Sequence, residues 1–414
     1  MNEALHGVKV LELSEFVSGP YCAKLMADLG ADVIKVEPLA GDLARRLGPY
    51  PDDIPDLDSS GLFLYLNTNK RGVTLDLSTP SSRPLLAALV RWADVVVTNY
   101  STEASSELGL DDATLHDLNP DLITARITPF GMNGPYKDFR AYYLNTFHGG
   151  GEGYCLPGGI GWLLYSDREP LKAAGYLGEY DVGISAACAT LGALLGQAFD
   201  PELGGETIDI SAQEVALDMM RYEVDSYNEG WIESRATRAL PVGGLVQCQD
   251  GFVEIMPLEE RMWEGLLTLM GDPDWAKEPR YAYDVLMSGF LRSQDVLGEL
   301  QMEVNDFIGE WALQHTMEEI YIEGQKLGCA VGKVLGPAEL FSDRQLEDRG
   351  YFVEIEHPKV GKRKYAGVPY RFSATPAMFT QPAPLLGEHN VDVYCSLLGY
   401  SNEDLTVMAA GNTI

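Results

Sequence analysis

LHGVKVLELSEFVSGPYCAKLMADLGADVIKVEPLAGDLAR, residues 5–45, is the stretch whose reading decides the fold. Residues 8–13 form a short run rich in β-branched residues and leucine, read as a strand. Residues 20–29 repeat apolar side chains at helical spacing, and residues 32–36 are a second β-branched run. A helix of this length between two such runs crosses from one strand to a parallel neighbour. Working outward, the same alternation continues. Strands are expected at 73–77, 94–99 and 122–128, with helices at 81–92 and 111–118 between them. A long Ala/Gly-rich helix is expected at 182–199, a strand at 206–211 and a helix at 213–228. Strands alternating with helices argue for an α/β fold with a mostly parallel sheet covered on both faces. The texture changes near residue 229, where tryptophans gather (Trp231, Trp263, Trp275, Trp311), and strand-like runs resume after Cys329. The expected organisation is a large domain over 1–225, a smaller α+β domain over 226–330, and a return to the large domain over 331–414.

The 414 residues are 46% hydrophobic and 22% charged, which suits packed cores rather than disorder. Sixty-two acidic residues against thirty basic ones give a formal charge of −32. Such a chain repels nucleic acid and anionic membrane, so any anionic ligand must be held by a few local cations or backbone N–H groups. The six cysteines are scattered without a CxxC pair, and no two histidines have metal-ligand spacing, so a reducing compartment and no metal are expected. No basic n-region precedes an apolar run at the start, and no apolar run approaches the ~20 residues of a membrane span, so the expectation is a cytoplasmic protein.

Three places invite chemistry. The Ser18-Gly19-Pro20 turn leads from a strand into a helix, where free N–H groups face a ligand. Asn67-Thr68-Asn69-Lys70-Arg71 places adjacent cations before a strand, suited to phosphate. Lys359, Lys362, Arg363 and Lys364 form a basic hairpin tip, read as a solvated turn. GxGxxG and GxSxG are both absent, which removes the signatures of nicotinamide binding and of a serine elbow. Carboxylates remain as the candidate nucleophile or base, and they are too abundant for spacing alone to choose among them.

The stretch at 5–45 resembles the N-terminal signature of family III CoA-transferases, a group that includes formyl-CoA transferase, the carnitine CoA-transferases and α-methylacyl-CoA racemase. NTNKRGVTLDL (67–77), ADVVVTNY (93–100), LNPDLITARITPFGMNGPY (118–136), GGETIDISAQEVAL (204–217) and PLLGEHNVDVYCSLLGYS (384–401) follow in the family's order. The resemblance implies a Rossmann-like large domain whose parallel-rich sheet is formed by both chain ends, a smaller inserted domain, and two chains interlocked as a dimer. It implies coenzyme A or acyl-CoA as substrate, with a small carboxylic acid as the other partner. CoA then lies at the carboxyl ends of the strands. Val17 and Ser18 make backbone contacts, Asn69, Lys70 and Arg71 stand near the nucleotide, Asn99 and Tyr100 lie under the pantetheine, and Arg140 and Tyr142 are nearer the thioester.

The family's nucleophile is an Asp four residues before a Gly that opens an Ala/Gly-rich helix, and here that place, before Gly183, holds Glu179, with Asp181 as the fallback. Backbone N–H groups of a glycine loop, at the position of Gly243-Gly244, are expected to stabilise the oxyanions. Tyr142-Tyr143 stands where the racemase branch carries His-Asp, which disfavours racemisation. Two readings stay open: a transferase using Glu179, or a catalytically silent, CoA-binding subunit of a heteromer whose paralogous partner carries the Asp. Heteromers of the benzylsuccinate CoA-transferase kind are the comparison for the second.

Overall fold

The computed structural model describes residues 3–156, 167–220, 224, 227–228, 241–288 and 298–414. Six strands, β1 (Lys9–Leu13), β2 (Asp32–Glu37), β3 (Lys70–Thr74), β4 (Val95–Thr98), β5 (Ile123–Thr128) and β6 (Glu206–Ser211), form one sheet in the order β3-β2-β1-β4-β5-β6. Every neighbouring pair is parallel. Successive residues of a strand point to opposite faces, so Leu11 and Leu13 enter one core and Val10 the other. The first core is closed by Leu85, Leu86, Leu89 and Val90 of the helix Arg83–Trp92, and by Tyr394 and Leu405 near the C-terminus. The second is closed by Cys22, Ala23 and Met26 of α1 (Ser18–Asp28) and by Val182, Ala186 and Ala187 of the long helix Leu177–Phe199. Burial on both faces explains why the central strands read as nearly continuous apolar runs.

Two element positions differ from the sequence expectation. β3 starts at Lys70 rather than residue 73, because a lysine buried by ion pairing carries no hydrophobic signal. The long helix starts at Leu177 rather than residue 182, which brings Glu179 into its first turn.

Two compact units divide the chain: Met1–Gly150 with Ala173–Met219 and Arg344–Ile414, and Gly151–Lys172 with Met220–Asp343. The first contains the six-stranded sheet, and all six strands of that sheet lie between residues 9 and 211. The expected contribution of the C-terminal end to the sheet is therefore corrected. That end docks on the free edge of β3 through one backbone and two side-chain bonds: the His389 backbone N–H donates to the Gly72 carbonyl (2.9 Å), while Gly72 N–H donates to His389 Nδ1 (3.1 Å) and Thr74 N–H to Asn390 Oδ1 (2.9 Å). These bonds satisfy edge groups that would otherwise pair with another strand.

The second unit has a three-stranded antiparallel sheet of β7 (Gly244–Gln247), β8 (Phe252–Ile255) and β9 (Val331–Lys333). Its core includes Trp263, Leu266, Tyr281, Val304 and Ile308. Because β9 pairs with β8, residues 331–343 belong here, and the return to the first unit begins at Arg344 rather than at 331. The expected boundary at 225–226 and Trp231 lie outside the described residues.

Candidate active site

In a sheet of this order the strand succession reverses between β1 and β4, and the crevice at their carboxyl ends is where ligands bind in open α/β sheets. The chain leaves β1 through Ser14–Val17 and leaves β4 at Asn99. Asn99 ties the two exits together: its Oδ1 accepts Glu15 N–H (3.0 Å) and its Nδ2 donates to the Glu15 carbonyl (2.7 Å). Phe16 N–H donates to Asp42 Oδ1 (2.9 Å). The Phe16 backbone has φ of 72°, a left-handed conformation that costs a bulky residue energy and persists only where its surroundings impose it. Its ring stands edge-on to Tyr176 (4.8 Å between centroids), which in turn is edge-on to Tyr143 (5.0 Å). At Gly19 a Cβ would stand 2.4 Å from the Ser14 Cβ, so this turn admits only glycine.

Glu179 is the third residue of the long helix, with its N–H on the Tyr176 carbonyl (2.9 Å). Ser18, the first residue of α1, is the polar neighbour that acts on its carboxylate. The charge thus sits where two helices begin, and both helix dipoles favour an anion there. The close packing that makes this contact depends on Gly183, one turn further on. A Cβ at Gly183 would lie 2.8 Å from the Ser18 carbonyl oxygen and 3.0 Å from the Tyr21 Cβ. Burial pushes the Glu179 pKa above its ordinary value, and Ser18 opposes the rise. Asp181 lies about 200° round the helix from Glu179; burial alone raises its carboxyl, with no contribution from Ser18.

Of the residues expected to face CoA, Val17, Ser18, Asn99 and Tyr100 gather at this crevice. Val17 and Ser18 are buried, and burial raises the pKa of the Tyr100 hydroxyl, with the charge of Glu15 adding to the rise. Burial raises the Glu15 carboxyl, and nearby Asp42 adds to the rise. Arg140 and Tyr142 are exposed on the segment entering the helix Tyr143–Gly149.

The cations at 70 and 71 both have partners within the chain. Lys70 and Arg71 are the first two residues of β3. Lys70 is 0% exposed, and its Nζ donates to Glu12 Oε2 (2.7 Å), the Pro20 carbonyl (2.7 Å) and Asn67 Oδ1 (2.9 Å). All three of its protons are engaged inside the protein. Burial pulls its pKa down to about 8, with Glu12 opposing. Glu12 is shared with Lys35 (2.7 Å), which also pairs with Asp42 (2.7 Å). Arg71 is held by Asp32 (2.8 Å) and Asp392 (3.0 Å). Asn69 donates to Asp28 (2.8 Å) and to the Met378 carbonyl (2.7 Å), fastening the C-terminal segment.

Gly243 and Gly244 lie in the second unit, both with left-handed backbones (φ 87° and 79°), and Gly243 N–H donates to Asn305 Oδ1 (2.8 Å). The basic hairpin pairs its strands so that Glu354 faces Lys364 and Glu356 faces Lys362, with a Lys362–Glu354 bridge of 2.6 Å. Two of its three strand cations thus face carboxylates, and Arg363 faces Ile355. Sequence reasoning missed Glu15, Phe16 and Tyr176 as neighbours of the site. The one signal for Tyr176 was its place three residues before Glu179.

A family model described as CoA-transferase family III matches residues 5–390. The succinyl-CoA–D-citramalate CoA-transferase of Chloroflexus aurantiacus is 31% identical over 420 residues, covering 99% of this chain and 98% of that protein. The formyl-CoA:oxalate CoA-transferase of Streptomyces avermitilis is 29% identical over 437 residues, covering 100% of both. Among solved structures, a CAIB/BAIF family protein from Brucella suis superposes with a TM-score of 0.82 at 28% identity, over 96% of this chain and 100% of that one. With its sheet order and the crevice at its switch point, the chain belongs to CoA-transferase family III, enzymes that move CoA between acyl-CoA and carboxylate substrates.

Proposed function

We propose that this chain is itself catalytic and that Glu179 is its nucleophile. The observation that carries the reading is the place of Glu179 in the first turn of the long helix, which Gly183 brings against the Ser18 carbonyl at the start of α1, at the switch-point crevice. In the forward half-reaction a Glu179 oxygen attacks the donor's thioester carbon. The C–S bond breaks, CoA leaves as its thiolate, and a mixed anhydride of the acyl group and Glu179 forms. The thiolate then attacks the Glu179 Cδ, and the anhydride C–O bond breaks to release the donor acid as its carboxylate. A glutamyl-CoA thioester remains. The acceptor carboxylate attacks that Cδ, expels the thiolate again, and the thiolate takes the new acyl group from the second anhydride, which restores Glu179. Covalent catalysis of this kind divides one difficult exchange into easier steps. The reaction needs Glu179 ionised, and the placement of its charge at two helix starts serves that need. CoA lies across the carboxyl ends of β1 and β4, over Val17, Ser18, Asn99 and Tyr100, with Arg140 and Tyr142 towards the thioester.

A second chain completes the assembly in this reading, as an interlocked dimer. The long helix leaves Leu177, Ile184, Cys188, Leu195 and the 82%-exposed Phe199 uncovered, spaced at sevens and fours along one side. By length and composition this helix could cross a membrane, but its other side is part of the second core of the sheet. An apolar stripe of that kind fits a partner helix.

The test is to incubate the purified chain with formyl-, acetyl-, succinyl- and benzoyl-CoA, trap with borohydride or hydroxylamine, and map the modified carboxylate by mass spectrometry. Modification at Glu179, abolished in E179Q, is expected. Modification at Asp181 would move the nucleophile by two residues. A chain that is modified only when co-expressed with a paralogue would be the silent subunit.

A further inference from the structure

We propose that Phe16 is a positioning residue for Glu179, acting through Tyr176 at the start of the long helix. The proposal rests on Glu179 being the nucleophile and goes beyond it by naming what fixes the place of its carboxylate.

The left-handed backbone of Phe16 (φ 72°) is over-determined from two sides. Asn99, at the exit of β4, bonds both the N–H and the carbonyl of the preceding Glu15 (3.0 and 2.7 Å). Asp42, 0% exposed, accepts the Phe16 N–H itself at 2.9 Å. Asp42 is fixed in its turn: the same oxygen accepts Ala44 N–H (2.7 Å), and its other oxygen stands 2.7 Å from Lys35 Nζ. Val17, which follows, is 0% exposed. With its neighbours and its own N–H held, the direction of the Phe16 ring is set. That ring stands edge-on to Tyr176, with centroids 4.8 Å apart and planes at 75°. Tyr143 closes the trio, 5.0 Å from Tyr176 and 6.1 Å from Phe16. Aromatic pairs at such distances favour edge-to-face geometry, so the contact fixes the direction of the Tyr176 ring as well as its distance. Tyr176 immediately precedes the long helix, and its carbonyl accepts the N–H of Glu179 at 2.9 Å and of Tyr180 at 3.2 Å. The backbone that carries the nucleophile is therefore tied to a residue held at the exit of β1. An ordinary negative φ at Phe16 would re-aim its Cα–Cβ bond, so the strained backbone and the aromatic contact stand or fall together. Attack on a thioester is steep in distance: a misplacement of about 1 Å can cost ~10²-fold in rate.

The test compares Phe16→Ala, Phe16→Gly, Phe16→Tyr, Tyr176→Ala and the double variant F16A/Y176A. The rate of Glu179 labelling is followed by intact-protein mass spectrometry over a range of acyl-CoA concentrations, with whichever of formyl-, acetyl-, succinyl- or benzoyl-CoA labels the wild type. Phe16→Ala, Phe16→Gly and Tyr176→Ala are each expected to lower the maximal rate by roughly 10- to 10²-fold, with the half-saturating concentration within about threefold of wild type. Phe16→Tyr keeps the ring and should recover the rate to within about fivefold. Because both rings serve one contact, F16A/Y176A should be no slower than the slower single variant, whereas independent losses multiply. In urea, Phe16→Gly should unfold later than Phe16→Ala, because glycine accepts the left-handed backbone and alanine does not. Circular dichroism checks folding, and Tyr176→Ala keeps the test decisive if the variants at Phe16 fold poorly. Rates within twofold of wild type in all three truncated single variants, or losses that multiply in the double variant, with Glu179 still labelled and E179Q unlabelled, would overturn the Phe16 assignment alone. A wild-type chain labelled by none of the four acyl-CoAs overturns the Glu179 reading and this assignment with it.

Discussion

Replacing Lys70 with methionine separates two uses of a conspicuous cation. Read along the sequence, Lys70 serves a phosphate; in the fold it serves Glu12. Methionine is an unbranched side chain one atom shorter, and it removes the charge. What remains is Glu12 Oε2 without its 2.7 Å partner, together with the Pro20 carbonyl and Asn67 Oδ1, each of which loses a donor. Breaking one partner out of a buried ion pair typically costs about 3–5 kcal/mol. Lys35 still holds the other Glu12 oxygen at 2.7 Å, which places the loss near the lower end of that range. At 2–4 °C per kcal/mol for a large domain, a loss of about 3 kcal/mol lowers the melting temperature by roughly 6 °C or more. Removing both partners in E12Q/K70M should recover part of that loss, because the uncompensated charge goes with its partner. The assay is a thermal melt of wild type, K70M and the double variant, beside calorimetric titration of CoA at a temperature where all three are folded. CoA affinity within twofold of wild type is expected. An unchanged melting temperature with a tenfold loss of CoA affinity would refute the reasoning and return Lys70 to the ligand.

Gly183→Ala places a methyl group 2.8 Å from the Ser18 carbonyl oxygen, so it should separate α1 from the long helix. A stability loss of about 1–3 kcal/mol by urea denaturation is expected, as for other overpacked contacts. Slower labelling of Glu179 by acyl-CoA should accompany it, and a variant matching wild type in both would show that the approach is not needed. Burial raises the Glu179 pKa, so the neutral, unreactive form persists above the ordinary carboxylate range near 4.5. The acidic limb of kcat/KM should therefore lie above pH 4.5, and a profile flat through that value would remove Glu179 as the ionised nucleophile.

Much of the sheet was legible because its cause is local. β-branched runs at 8–13, 32–36 and 206–211 correspond to β1, β2 and β6 within a residue or so at either end. Asp111, read as a helix start, accepts Thr114 N–H at 3.0 Å as the cap of Asp112–Leu118. The candidate site was legible only in part. Its residues at 17–18 and 99–100 follow strands, and the parallel alternation predicts that such positions share one edge. The partner of Lys70 was not legible, because adjacent cations look the same in sequence whether water, a phosphate or a buried carboxylate receives them. Its partner Glu12 is 58 residues away.

The sequence by itself determined the parallel α/β architecture, the acidic surface and the glutamate four residues before Gly183, since each is a property of neighbouring residues or of their sum. Only the tertiary structure decided which charges are engaged and what faces Glu179. It directed Lys70 inward to Glu12, used His389 and Asn390 to close the edge of β3, and brought the start of α1 against the first turn of the long helix. The physical reason is that the state of a charged or polar group depends on the donors, acceptors and solvent within a few ångströms, and folding brings those together from distant parts of the chain.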